Sequence, residues 1–330
     1  MEKILITGGL GFIGSHIVAE LSNNYSEVII VDNLVNSEIE VFDILQSMSS
    51  LKLFFYNIDI RDRFKLEEVF VKHYPENIIH CASLKSVSES FDMPEHYYDN
   101  NVNGSKVLID LIIKYDIKKV VFSSSATVYG QPLYLPIDEK HPLSATNPYG
   151  QNKIDTEELF GRLVDTKKDV SISILRYFNP VGAHSSLLIG ESPKGTPNNL
   201  MPYILAVAIG KYNRLKVFGS DFVTPDGTGI RDYIHITDLA GAHLSALSLN
   251  EYGCHIFNIG TGIGHSVLDL IKTFEGTNNV NIPYEIVSRR EGDVDSVYSE
   301  TKKAEKKLKW KSTKNLSSMC RDSYNFVNKK

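Results

Sequence analysis

The sequence contains little that would tie it to an oxidising compartment, a membrane or a nucleic acid. Only three cysteines occur in 330 residues, Cys81, Cys254 and Cys320, and their odd number and wide separation predict neither a disulfide framework nor a zinc site. No apolar run approaches the ~20 residues of a membrane-spanning helix. The 35 basic and 40 acidic residues give a net charge of −5, which argues against nucleic-acid or membrane partners. We expect a soluble, cytoplasmic protein without a metal ion.

Alternating strand and helix patterns fill the first half of the chain. Apolar runs at residues 4–6, 28–31, 51–55, 78–80, 120–122 and 170–175 are typical of buried strands. Between them, apolar residues recur at helical spacing, as at Ile17 and Leu21 or at Leu66, Val69 and Phe70. This alternation predicts an α/β fold with a doubly wound parallel sheet.

The composition of the sequence changes near Asn179, where glycine and proline become more frequent and the alternation of strand and helix patterns weakens. We therefore predict two domains, a nucleotide-binding Rossmann domain over residues 1–178 and a smaller mixed α/β substrate domain over residues 179–330. Residues 256–259 are expected to return to the main sheet.

A glycine-rich loop lies between the first predicted strand and the first predicted helix. Gly8, Gly11 and Gly14 would allow a tight turn and let a pyrophosphate approach the helix N-terminus. Asp32 ends the second strand, where a carboxylate binds the adenosine ribose and repels a 2′-phosphate, so NAD is favoured over NADP. The alternative is that Asp32 merely forms a turn before Asn33.

Three residues are candidates for catalysis. Tyr149 and Lys153 are four residues apart just after Pro148, so on a helix they share one face. A nearby cation would lower the tyrosine pKa from about 10 and make Tyr149 a general base. Ser125 follows the strand at 120–122 and would hold the substrate oxygen or relay its proton. The alternatives are an ordinary surface pair and a strand cap.

Two longer motifs are more specific than the glycine loop. They are Ser-Ser-Ser-Ala-Thr-Val-Tyr-Gly at 123–130 and Arg-Tyr-Phe-Asn-Pro-Val-Gly-Ala at 176–183. With the glycine loop they resemble the extended short-chain dehydrogenase/reductase superfamily, and within it the UDP-glucose 4-epimerases, over nearly the whole chain. The resemblance implies a homodimer that packs helices near 101–115 and 150–164. It also implies further residues around NAD, which line the pyrophosphate, adenosine, channel and nicotinamide positions: Phe12, Ile13, Asn33, Leu34, Val35, Asn36, Ser37, Asp59, Ile60, Cys81, Ala82, Ser83, Leu84, Lys85, Asn100 and Phe178.

The resemblance also implies a UDP-hexose substrate. Arg231 and Arg290 have the forked donors that suit a diphosphate, and Asp293 can accept from ribose hydroxyls. The alternative for Arg231 is a local ion pair with Asp232. For Phe218, which the resemblance places at the substrate, the alternative is a core position. The implied substrate residues besides Arg231, Arg290 and Asp293 are Ser125, Tyr149, Asn179, Asn199, Leu200, Val217, Phe218, Tyr233 and Val297.

Val297 stands where some members of the family have a tyrosine beside the sugar C2 substituent. Valine lacks the ring, so we expect room for an N-acetyl group. The alternative is that Tyr298 fills this space through a shift of one residue.

The implied reaction inverts C4 of the hexose. Tyr149 takes the proton of the C4 hydroxyl, and the C4 hydride passes to NAD. The 4-keto sugar then turns its other face to the cofactor, and the hydride and the proton return. Alternatives are a UDP-N-acetylglucosamine 4-epimerase, a dehydratase or decarboxylase of the same superfamily, and a non-catalytic NAD sensor. Dehydratases carry Asp-Glu where this chain has Ala126 and Thr127, which argues against dehydration.

Overall fold

The computed structural model describes residues 2–21, 24–195, 197, 199–290 and 292–329. The strands in chain order are β1 Glu2–Thr7, β2 Tyr25–Asp32, β3 Leu53–Asn57, β4 Asn77–His80, β5 Lys119–Ser125, β6 Ser171–Tyr177, β7 Asn179–Val181, β8 Leu215–Phe218, β9 Ile230–His235, β10 Gly253–Ile259, β11 Gly264–Ser266, β12 Tyr284–Val287 and β13 Ser296–Val297.

The helices surround these strands. They are α1 Phe12–Glu20, α2 Glu40–Met48, α3 Arg63–His73, α4 Val87–Asp92, α5 Pro94–Tyr98, α6 Gly104–Lys114, α7 Pro148–Thr166, α8 Leu200–Ala208, α9 Ile236–Leu247, α10 Val267–Asn278, α11 Lys302–Leu308 and α12 Leu316–Asn328. A π-helical turn, Asp99–Asn103, leads into α6, and a 3₁₀ turn, Ala126–Tyr129, follows β5.

Seven parallel strands form the main sheet in the order β10-β6-β5-β4-β1-β2-β3. The aliphatic residues of the five inner strands are almost fully buried, because helices cover both faces of such a sheet. The predicted doubly wound fold and the return of residues 256–259 to the sheet are confirmed. Strand order reverses between β1 and β4, so ligands are expected at the carboxyl ends of these strands.

The smaller part of the structure is built around β9. Strands β7 and β13 pair with β9 in parallel and β11 pairs with it antiparallel, while β8 and β12 form a separate ribbon. A second apolar core under α8, α10 and α12 supports these strands. Division of the chain at residue 178 remains a prediction.

Helix α6 bears on the expected dimer. Its apolar residues Leu108, Leu111 and Ile112 are fully buried against the main sheet of the same chain, so this stripe gives no support for a subunit interface. Among the described residues, no helix is long and apolar enough to cross a membrane, and no cluster of His, Cys, Asp or Glu side chains has the arrangement of a metal site.

Candidate active site

A cavity of about 1500 Å³ lies between the carboxyl ends of the main sheet and the smaller sheet. This volume exceeds the 300–1,000 Å³ of a typical small-molecule pocket, so two ligands can lie in it side by side. The structure brings almost all residues predicted for cofactor and substrate to the walls of this one cavity. The exceptions are Leu34 and Asp59.

The glycine loop lines the cavity and packs its backbone against neighbouring backbone too closely for side chains. A Cβ atom on Gly14 would lie 2.2 Å from the Gly8 carbonyl oxygen, and one on Gly8 would lie 2.7 Å from the Ala82 nitrogen. Gly8 also has a φ of +68°, which L-residues avoid. Helix α1 begins after Gly11 without a side-chain cap and without an acid in its first turn. Its free amide groups therefore offer a site for an anion.

Asp32 is buried at the end of β2 and lines the cavity. One carboxylate oxygen accepts from the Leu10 amide at 3.1 Å, and the other accepts from the Leu34 amide at 3.0 Å and from Ser37 Oγ at 2.7 Å. The bond to Leu34 is the turn that the alternative interpretation expected. A carboxylate has about four acceptor positions, so Asp32 fixes this loop and keeps acceptor capacity towards the cavity.

Of the two predicted residues outside the cavity wall, Asp59 acts through a neighbour. Asp59 binds the Arg61 guanidinium at 2.7 Å and accepts from Asn33 Nδ2 at 3.1 Å. The hydrogen bonds from Arg61 lower the pKa of Asp59 to about 2. Asp59 therefore positions Asn33, which lines the cavity.

The catalytic candidates converge where the main sheet meets the cavity. Tyr149 and Lys153 lie on one face of α7 as predicted, and both are buried. Lys153 Nζ donates to the Ser123 carbonyl at 2.9 Å and lies 5.7 Å from the centre of the Tyr149 ring. Ser125, the last residue of β5, lines the same part of the cavity.

The expected lowering of the Tyr149 pKa is not found in the structure. Burial raises the pKa of Tyr149 to about 12, and a hydrogen bond with Ser125 opposes this rise only in part. Burial also lowers the pKa of Lys153 to about 8, since desolvation disfavours the charged form of either group. The lysine contacts the tyrosine ring and a backbone carbonyl, so it does not supply the lowering that the sequence predicted.

Sequence analysis missed two residues beside this cluster. Thr127 lines the cavity and its Oγ1 donates to Ser125 Oγ at 3.0 Å. The sequence pattern marks Thr127 only as a position where dehydratases carry an acid. Tyr177, at the end of β6, also lines the cavity, and burial raises its pKa well above 10. The motif at 176–183, which contains Tyr177, is the sequence signal that could have identified it.

Three of the predicted substrate residues, Arg231, Arg290 and Asp293, form an ion-paired group on the opposite wall. Arg231 is mostly buried on β9, where it donates to the carbonyls of Ile230 at 2.8 Å and Val294 at 2.9 Å. Its Nη2 lies 3.9 Å from Asp293, which also accepts from Arg290 Nε at 3.1 Å. Burial lowers the pKa of Arg231. Two cations thus share one carboxylate, so the group has positive charge left for an anionic ligand.

Neither alternative for these residues holds. Asp232 accepts hydrogen bonds from Thr261, Gly262 and Ser299 rather than from Arg231. Phe218 lines the cavity and lies under the Arg290 guanidinium, 4.8 Å from ring centre to Cζ.

Val297 lines the cavity and packs on the apolar cluster that contains Phe178. Tyr298 is not part of the cavity wall, and its ring lies beside Gly264. The structure thus places the valine, rather than the neighbouring tyrosine, on the cavity wall, and its place beside the sugar remains a prediction.

A strap over residues 188–194 crosses the cavity wall between the two sides. Lys194 Nζ donates to the Leu34 carbonyl at 2.9 Å and lies 3.3 Å from Glu38. At the other end, Glu191 accepts from Lys85 and from Asn199, both at 3.2 Å. These contacts tie the predicted adenosine, phosphate and substrate segments together.

Known proteins share this architecture. The sequence model of the family described as GDP-mannose 4,6 dehydratase matches residues 5–323. The UDP-glucose 4-epimerase of Bacillus subtilis strain 168 is 47% identical over 97% of this chain and 95% of its own length.

Two solved structures are similar over nearly their full lengths. The UDP-glucose 4-epimerase of Stenotrophomonas maltophila, with bound NAD and formylated UDP-arabinopyranose, has a TM-score of 0.96 and 43% identity, covering 100% of this chain and 98% of that one. The enzyme of Bifidobacterium longum, in complex with NAD+ and UDP, has a TM-score of 0.95 and 43% identity, covering 99% and 98%. Sequence identity and fold together show that this chain belongs to the UDP-glucose 4-epimerase family.

Proposed function

We propose that this protein interconverts UDP-glucose and UDP-galactose by inverting C4 through a 4-keto sugar, with NAD held in the cavity. One structural observation supports the proposal in addition to the family relationship. A single cavity brings a buried tyrosine, serine and lysine between an anion-binding glycine loop and a cationic group. An epimerase of this kind needs the catalytic side chains, the cofactor loop and the cationic group in one cavity.

The residues of the cofactor side fit NAD. The glycine cradle and the uncapped α1 N-terminus suit a pyrophosphate, and Asp32 suits an unmodified ribose rather than a 2′-phosphate. Lys153 would hold the nicotinamide ribose. NAD, when bound, accepts a hydride and gives it back. Asp32, Gly8 and Gly14 would orient it.

The sugar nucleotide would lie along the opposite wall. Arg231 and Arg290 would hold the diphosphate and Asp293 the uridine ribose. Tyr149 would take the proton of the C4 hydroxyl and later return it, with Ser125 in contact with the same oxygen. Dehydration would require an acid and a base on the turn after β5, where Ala126 has no titratable group and the Thr127 hydroxyl bonds Ser125.

We also propose that the N-acetyl forms, UDP-N-acetylglucosamine and UDP-N-acetylgalactosamine, are interconverted. Val297 presents two methyl groups to the cavity rather than a phenol ring, and it is stiff at χ1. The second candidate function is a 4-epimerase whose main substrates are the N-acetyl pair, and Val297 favours this function as well.

The remaining proposals concern assembly and location. A homodimer formed by helices near 101–115 and 150–164 and a cytoplasmic location rest on the family resemblance and on composition alone. Sedimentation of the purified protein tests the first, and microscopy of a tagged chain tests the second.

Two measurements test the activity. Protein purified without added nucleotide is denatured, and the released dinucleotide is identified; we expect NAD or NADH, and mostly NADP(H) would contradict the role of Asp32. The protein is then incubated separately with the four UDP-sugars. Interconversion within each pair is expected, and the absence of any turnover, or release of a dehydrated 4-keto-6-deoxy sugar, would refute the proposal.

A further inference from the structure

Ser125 accepts two hydrogen bonds from one residue. The backbone amide of Thr127 lies 3.2 Å from Ser125 Oγ, and Thr127 Oγ1 lies 3.0 Å from the same oxygen. Ser125 is the N-cap of the 3₁₀ turn Ala126–Tyr129, which fixes both donors. A serine hydroxyl has two acceptor positions and one proton, so Thr127 occupies the whole acceptor capacity of Ser125.

The proton of Ser125 remains available to the cavity. Ser125 is buried beside Tyr149, and a hydrogen bond between the two favours the charged form of the tyrosine. A hydroxyl that accepts hydrogen bonds is a stronger donor, because bonds in a chain polarise one another. Thr127 therefore strengthens the one bond that offsets the effect of burial on Tyr149.

We propose that Thr127 is a positioning residue that makes Ser125 a proton donor only, whose single proton is directed at Tyr149 beside the substrate oxygen. The proposal rests on the 4-epimerase function. When the C4 hydride leaves, the O–H bond of the C4 hydroxyl breaks and an O–H bond forms on Tyr149. Ser125 keeps its own proton throughout. A relay, in which Ser125 takes the substrate proton while it gives its own to Tyr149, needs a free acceptor position that Thr127 has filled.

Several other groups face Tyr149. Lys153 lies on the same helix, Tyr177 ends β6 and Tyr97 packs from α5. Cys81, which follows β4, interacts with Lys153 and Tyr177. None of them bonds Thr127, and the variants below leave all of them in place. A change in the ionisation of Tyr149 in these variants therefore reports on the serine–threonine contact.

The test uses Thr127→Val, which keeps the shape and the backbone amide but removes the hydroxyl, and Thr127→Ser, which restores a hydroxyl. In the holoenzyme we expect Thr127→Val to raise the apparent pKa on the acidic limb of the kcat profile by roughly half to one pH unit. The KM for UDP-sugar should stay within about twofold of wild type. Thr127→Ser should restore the wild-type profile. An unshifted profile in Thr127→Val overturns the proposal.

A double-mutant cycle separates positioning from a general structural effect. In a Ser125→Ala background, Thr127→Val should cause no further shift of the pH profile, because the threonine acts through the serine. A shift of the same size in both backgrounds would overturn the proposal.

A second readout does not require turnover. The absorbance change of tyrosinate formation is titrated in the holoprotein and in Thr127→Val, each against a matched Tyr149→Phe reference. The ionisation assigned to Tyr149 should move to higher pH in Thr127→Val, and an unmoved ionisation overturns the proposal. If wild type converts no UDP-sugar, the proposed function fails, while this titration still tests the contact between Thr127 and Ser125.

Discussion

The two walls of the cavity hold their functional groups in different ways. On the cofactor wall, Gly8 and Gly14 are fixed by backbone contacts and Asp32 by three hydrogen bonds from its own loop. On the substrate wall, Arg290 and Asp293 hold each other, and Arg290 is 56% exposed. A ligand on the first wall leaves the glycine and Asp32 contacts in place, whereas a ligand on the second competes with Asp293 for Arg290. This difference suits a cofactor that stays and a substrate that exchanges.

The largest expected effect comes from the residue between the two walls. Tyr149→Phe removes the proton acceptor while both walls stay intact, so turnover should fall by roughly 10²–10⁴-fold. Bound NAD and the affinity for UDP should be unchanged, as measured by dinucleotide content and calorimetry. Near-normal epimerisation by the folded variant would refute the assignment.

The rigidity of the cofactor wall is tested at Gly14. An alanine there places Cβ 2.2 Å from a backbone oxygen, so Gly14→Ala should lower the free energy of unfolding by roughly 1–3 kcal/mol and yield protein depleted in NAD. Gly276→Ala is the matched control, since a Cβ on this α10 glycine meets nothing within 4 Å. It should stabilise by about 0.5–1 kcal/mol. Equal behaviour in denaturant titrations would contradict a rigid cradle.

The substrate wall is expected to tolerate a larger sugar because of Val297. Val297→Tyr should reduce kcat/KM for the N-acetyl pair by roughly 5- to 150-fold relative to UDP-glucose, the equivalent of about 1–3 kcal/mol of overpacking. Tyr298→Val is the control and should leave the ratio of the two activities unchanged. Absence of N-acetyl activity in wild type would rule out the proposed room at this position.

The smallest effect is expected at the exchangeable ion pair. Arg290→Ala should raise the KM for UDP-sugar about tenfold, because one charge-assisted hydrogen bond is lost, without loss of bound NAD. Arg289→Ala is the matched control. Arg289 also pairs with an aspartate and lies over a phenylalanine, Phe222, but it does not line the cavity. Equal changes in KM for the two variants would contradict a direct role for Arg290.

The cofactor wall was predictable because its signals are local. Spacing of glycines, an acid at a strand end and a tyrosine four residues before a lysine all lie within short segments, and the structure places them as expected. The ionisation of Tyr149 was not predictable, since its sign depends on how deeply the whole fold buries the ring. Ser125 was identified, but its bond with Thr127 depends on the turn geometry after β5.

The substrate wall was predictable only through family resemblance. Arg231 and Asp293 lie far apart in sequence and meet because β13 pairs with β9, a register that no local pattern reveals. The strap is a similar case. Glu191 and Lys194 lie in a glycine- and proline-rich segment without periodicity, so their contacts with Lys85 and Leu34 had no sequence signal.

The position of β10 has a consequence for how the chain matures. This strand is made late, from residues 253–259, yet it covers the outer edge of β6 in the main sheet. A nascent chain that ends at residue 178 exposes the backbone of β6 as an unpaired edge, which invites pairing with other chains. The first half is therefore vulnerable to aggregation during synthesis until more than three quarters of the protein has left the ribosome, and separate expression of residues 1–178 should give insoluble protein.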